Sequence, residues 1–186
     1  MSEDAQSGRR WFVMSAIGED RPGIVADLAE LIYESECNLE DSRMTILGTE
    51  FATLLLASGT GADVEARLAA GCKRLEWEKH LTVFLRAVDG PARVPPHGTR
   101  LVCTVTGVDK AGIVARIARS LATHGANVTD LRSEVRPAPN IGTPIYALRI
   151  VAHVPPGTDL EAVRSELDRR ATELAVDLVL EHTPEK

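Results

Sequence analysis

Two short stretches carry the residues best suited to hold a small charged molecule. The first runs Gly18-Glu19-Asp20-Arg21-Pro22-Gly23-Ile24, and the second runs Gly107-Val108-Asp109-Lys110-Ala111-Gly112-Ile113. Each stands between an apolar run and a segment with helical spacing. A helix N-terminus presents free backbone N–H groups and a partial positive charge, so this end can hold a carboxylate. Gly23 and Gly112 would let a ligand or another backbone approach closely. Asp20 and Asp109 could accept from an ammonium group. Asn38 and Asn127, each at the start of a later strand, offer both a donor and an acceptor. Together these groups suit a free amino acid. The same residues also suit a purely structural role: Asp before a helix is a common cap, Gly and Pro there are turn formers, and Asn closes helix–strand turns.

Other chemistry finds little support. His80, His97, His124, His153 and His182 are scattered, without metal-ligand spacing. No GxSxG elbow and no Walker loop occur. Gly59-Thr60-Gly61 lacks the GK[ST] ending and reads as a loop before a helix. Cys37, Cys72 and Cys103 form no CxxC pair and sit in apolar surroundings, as core residues do. No catalytic residue, metal site or cofactor is expected.

The elements that position the two turns recur as well. Residues 17–26 and 106–115 align at an offset of 89, and the same offset carries Asn38 onto Asn127, Asp41 onto Asp130 and Arg43 onto Arg132. This period fits a duplicated domain. In the first copy, residues 11–17 read as a strand, and Ile24, Leu28, Leu31 and Ile32 share a helix face. Pro22 fits the first helical turn. Strands 37–47 and 51–58 follow, then a helix face of Val64, Leu68, Cys72 and Leu75, then a strand with alternating Leu81, Val83 and Leu85. The second copy repeats the order. It has a strand at 101–106, a helix with Ile113, Ile117 and Leu121, strands 127–136 and 145–154, a helix opened by a Thr158/Glu161 capping box, and a last strand with Val176, Leu178 and Leu180. An insertion at 137–144 reads as a long hairpin connection that the first copy lacks.

The order β-α-β-β-α-β predicts an α+β fold of two ferredoxin-like units, each an antiparallel sheet with helices on one face. The domains are placed at 10–88 and 99–183, joined by a Pro- and Gly-rich linker at 89–98. Both faces of residues 51–56 are largely apolar, with Phe51 and Leu55 on one and Leu54 and Leu56 on the other. A sheet solvated on one side alternates more cleanly. Edge or face pairing of units in a homo-oligomer is therefore expected.

The net charge of −6 argues against a non-specific grip on phosphate backbones, so tight DNA binding by the chain alone is not expected. No apolar run is long enough for a membrane helix, and the polar start carries no signal-peptide core. The expected setting is cytoplasmic.

The duplicated unit with its glycine-aspartate turn resembles the ACT domain family. The resemblance covers roughly residues 10–87 and 99–181. The string Asp20-Arg21-Pro22-Gly23-Ile24-Val25 is similar to that of tandem ACT regulators of glycine cleavage. It is also similar to the small ACT domain that precedes formyltetrahydrofolate deformylase catalytic domains, but here the sequence continues into a second ACT copy. The resemblance implies a regulatory protein, not an enzyme. It would bind a small amino acid, glycine among the candidates, at Gly18, Asp20, Arg21, Pro22, Gly23, Ile24 and Asn38, and at Gly107, Asp109, Gly112, Ile113 and Asn127. The implied action is transcriptional repression or co-repression of glycine cleavage through a protein partner, a transcription factor; the alternative partner is a metabolic enzyme of amino-acid or one-carbon metabolism. The second copy has Lys110-Ala111 where the pattern has Arg-Pro.

Overall fold

A computed structural model describes residues 8–91, 98–137 and 144–185. The chain divides into two compact units, Met1–Arg93 and Val94–Lys186. The first contains β1 (Arg9–Glu19), α1 (Ile24–Glu34), β2 (Cys37–Leu47), β3 (Glu50–Thr60), α2 (Val64–Lys79) and β4 (Thr82–Val88). The second contains β5 (Gly98–Val108), α3 (Ile113–Thr123), β6 (Asn127–Arg136), β7 (Ile145–Val154), α4 (Leu160–Leu174) and β8 (Val176–Glu185). The sheets have strand orders β2-β3-β1-β4 and β6-β7-β5-β8, all neighbours antiparallel. The expected ferredoxin-like α+β fold is thus present twice.

The helices bury the faces that their spacing marks out. On α1 these are Ile24, Leu28, Leu31 and Ile32, and on α2 Val64, Leu68, Cys72 and Leu75. They pack on Phe12, Met14 and Ala16 of β1 and on Phe51, Leu55 and Ala57 of β3. In the second unit α3 and α4 cover Leu101, Cys103 and Val105 together with Leu148, Ile150 and Ala152. Cys72 and Cys103 are buried, and desolvation pushes their thiols up to about 11 and about 12. Both stay protonated at neutral pH, which suits core packing and not nucleophilic attack.

Several local expectations need correction. Pro22 lies in the turn before α1, because Gly23 takes the N-cap position. Gly59 and Thr60 belong to β3 and not to a loop. A Cβ on Gly59 would stand 2.9 Å from Cys37 Sγ and 3.1 Å from Val64 Cγ1, so this glycine serves close packing. Gly98 is the first residue of β5 and not linker. Linker residues 92–97 and insertion residues 138–143 lie outside the described residues.

The cap of α4 also differs. Asp159 is the N-cap, and its carboxylate accepts from the backbone N–H of Glu161 at 3.0 Å and of Ala162 at 3.1 Å. The Thr158 hydroxyl instead donates to Pro155 O at 2.8 Å. The helix begins one residue later than a Thr158 cap requires, and Asp159 satisfies two first-turn donors at once. Asp159→Ala is expected to cost about 1 kcal/mol of stability and Thr158→Val clearly less. Urea unfolding of both variants checks the order.

Candidate functional site

The two turns share one construction. β1 ends at Glu19, opposite Glu50 of β3, and the Asp20 N–H continues the ladder by donating to Thr49 O at 2.9 Å. The chain then turns into α1 through Gly23 at φ 89°. In the second unit β5 ends at Val108, opposite Ile145, and Gly112 enters α3 at φ 93°. Such angles favour glycine. Neither helix has a side-chain cap. The first-turn N–H groups therefore keep their capacity to bind an anion. Asp20 and Asp109 are exposed, and among the described residues their carboxylates have no hydrogen-bond or ion-pair partner. The capping role open to them on sequence grounds is not used.

The remaining turn residues have other tasks. A Cβ on Gly18 would stand 2.7 Å from Leu81 Cδ2, and one on Gly107 would stand 2.8 Å from Val176 Cγ1. Both glycines let the neighbouring strand start pass close by. Ile24 and Ile113 are buried in the cores, so their side chains cannot line a ligand site, although their backbone N–H groups face the turn's end of the helix. Arg21 is not a free cation. Its Nη2 donates to Asp27 Oδ2 at 2.6 Å, and Lys79 Nζ lies 3.5 Å from Asp27 Oδ1. The Arg21 hydrogen bond, with help from Lys79, holds the Asp27 carboxyl below its usual range despite partial burial. In the second unit Lys110 Nζ donates to Leu174 O at 3.2 Å.

Asn38 and Asn127 do not join the turns. Asn38 pairs with Ser58, which pairs with Trp11 near the opposite end of β1. Eight strand positions separate that row from Glu19, about 25 Å at normal strand rise. Asn127 sits opposite His153, itself opposite Arg100 near the start of β5. The reason is topological: β1 runs up, α1 runs back down, and β2 therefore starts at the end where β1 began.

Asn38 belongs instead to a polar network that sequence patterns do not reveal. Its Nδ2 donates to Glu40 Oε1 at 3.3 Å, Ser58 Oγ donates to the same oxygen at 2.6 Å, and Arg9 Nε donates to Ser58 Oγ at 2.9 Å. Arg9 also pairs with Glu40 and lies 4.8 Å from the Trp11 ring centroid. The hydrogen bond from Ser58 is the leading reason that the Glu40 carboxyl titrates below its usual range. An open groove of about 830 Å³ lies here, lined in part by Arg9, Tyr33, Glu36 and Asn38. This groove is thus at the end of the sheet away from the Asp20 turn. The charge of Arg9 is already matched by Glu40, and Glu34 and Glu36 stand on the same wall. That wall does not favour a carboxylate.

Among the described residues no group of three or more His, Cys, Asp or Glu could hold a metal ion, and no helix is long and apolar enough to cross a membrane.

The family model of the ACT domain matches residues 10–85 and 99–181, one match on each unit. The chain belongs to the ACT domain family. Over 171 residues it is 29% identical to the glycine cleavage system transcriptional repressor of Escherichia coli (strain K12), covering 90% of this chain and 87% of that protein. The protein of the same name from Shigella flexneri matches with the same identity and coverage. A solved protein of unknown function from Galdieria sulphuraria has a TM-score of 0.76 at 29% identity, covering 94% of this chain and 99% of that one. The likeness therefore extends over both ACT units together, and the chain is an ACT regulatory protein.

Proposed function

We propose that this tandem ACT protein senses a small amino acid, glycine among the candidates, and represses glycine cleavage through a protein partner that binds DNA. The observation that carries the reading is the uncapped helix N-terminus behind Gly23 and again behind Gly112, each next to an unpartnered carboxylate. The helix end suits the ligand's α-carboxylate and Asp20 or Asp109 suits its ammonium. The similarity to the Escherichia coli repressor across both units supports transcription as the output. The acidic chain suits a partner protein better than a direct grip on DNA.

A thermal-shift panel of the common amino acids tests the ligand. At least one should raise the melting temperature, since a ligand at 100 times its Kd stabilises by about 2.7 kcal/mol. Asp20→Ala combined with Asp109→Ala should remove that shift and leave the ligand-free melting point nearly unchanged, because both side chains are exposed and unpartnered. A flat response to every amino acid defeats the reading. A pull-down that recovers a metabolic enzyme in place of a DNA-binding protein moves the output from transcription to enzyme control.

A further inference from the structure

The helices cover one face of the first sheet; on the helix-free face Trp11 and Ser58 are buried at one end and Val13 and Leu56 next to them are half-buried. Further along that face Ile17, Leu54 and Phe84 are 51%, 52% and 63% exposed. The strand registers arrange this face in rows. One row reads Arg43, Leu54, Ser15 and Phe84 from β2 to β4, and the next reads Asp41, Leu56, Val13 and Arg86. The second row has an acid at one end and a base at the other. Among the described residues Asp41, Arg43 and Arg86 have no ion-pair partner. Exposed apolar side chains rimmed by unpaired charges suit a protein interaction surface.

We infer that this face is a two-fold interface with a second copy of the chain, the axis running parallel to the strands. A half-turn about that axis keeps each row at its own level and exchanges β2 with β4. Asp41 of one copy then meets Arg86 of the other, twice, and each Arg43 comes over a Phe84 ring, a favourable cation–π arrangement. Leu56 meets Val13 in the middle. Facing sheets pack about 10 Å apart and about 30° from parallel, which long arginine side chains can span. A two-fold axis across the strands would set β2 against β2 with the rows inverted, and Asp41 and Arg86 would not meet. The helix-free face of the second unit lacks this self-complementarity, and its Val102 and Val151 are already buried. Its corresponding row reads Asp130, Val151, Val102 and Glu181, so the same half-turn sets acid against acid. Arg149, one row away, already lies 3.6 Å from Asp130. The charge arrangement that is self-complementary is thus the one on the first face. This goes beyond the amino-acid reading and does not depend on it.

Light scattering on the full chain across a dilution series tests the inference, with melting curves as the check on folding. The wild type should be a dimer in the micromolar range. Asp41→Arg and Arg86→Asp should each raise the dissociation constant about tenfold or more, because each sets like charges together twice. The double variant should return to within about threefold of the wild type, since the pair is restored with reversed sign. Glu181→Arg should leave the mass unchanged. A wild type that stays monomeric at high micromolar concentration overturns the inference and leaves the patch to a different protein. Single variants that remain dimeric, or a double variant as weak as the singles, overturn it as well.

Discussion

Phe12→Ala is expected to destabilise the protein by about 3–5 kcal/mol, while Phe84→Ala shifts the stability of the monomeric chain by less than about 0.5 kcal/mol. The two phenylalanines stand on neighbouring strands of one sheet. Phe12 points to the helices and is fully buried among Met14, Leu55, Leu68 and their neighbours. Phe84 points the other way and is mostly exposed. Truncating Phe12 removes its transfer free energy and leaves a cavity that a close-packed core cannot fill by relaxation. Truncating Phe84 leaves no cavity in the unit. Its loss should appear instead in the dimer dissociation constant. Urea unfolding of both variants below the dimer dissociation constant gives the comparison, and equal losses would refute the assignment of faces.

Gly112→Val should cost about 1–3 kcal/mol, clearly more than Arg169→Ala or Arg170→Ala. At φ 93° the backbone enters α3 in a conformation that a β-branched residue adopts only under strain. The strain is conformational, not crowding: the nearest atom to a Cβ there is Arg116 Nε at 4.0 Å. Asn tolerates left-handed backbone better than Val, so Gly112→Asn should recover part of the loss. Arg169 and Arg170 pair with Glu166 and Glu173 on the exposed side of α4, where ion pairs contribute little. Parallel urea titrations rank the variants. If Gly112→Val and Gly112→Asn matched the arginine variants, the positive φ would not be needed. The same logic applies to Gly23 at φ 89°.

The amino-acid sequence by itself determined the duplication, the order of elements and the buried faces. Those depend on local periodicity. Ile24, Leu28, Leu31 and Ile32 recur at helical spacing, and this spacing alone selects the side that must leave water. Phe51 and Leu55 against Leu54 follow from the two-residue period of a strand in the same way. Only the tertiary structure decided what those elements bring together. Asn38 and Asp20 are 18 positions apart in the chain, yet the return of α1 sends them to opposite ends of the sheet. A bulge between Leu39 and Asp41 shifts the alternation of β2, so Asn38 and Asp41 share the helix-free face although their spacing is odd. The roles of Gly18 and Gly107 follow from residues 63 and 69 positions further on, Leu81 just before β4 and Val176 at the start of β8. Arg21 found its partner on the helix it precedes. In each case the deciding contact is set by strand register and backbone path, and these depend on packing between distant segments that no local pattern encodes.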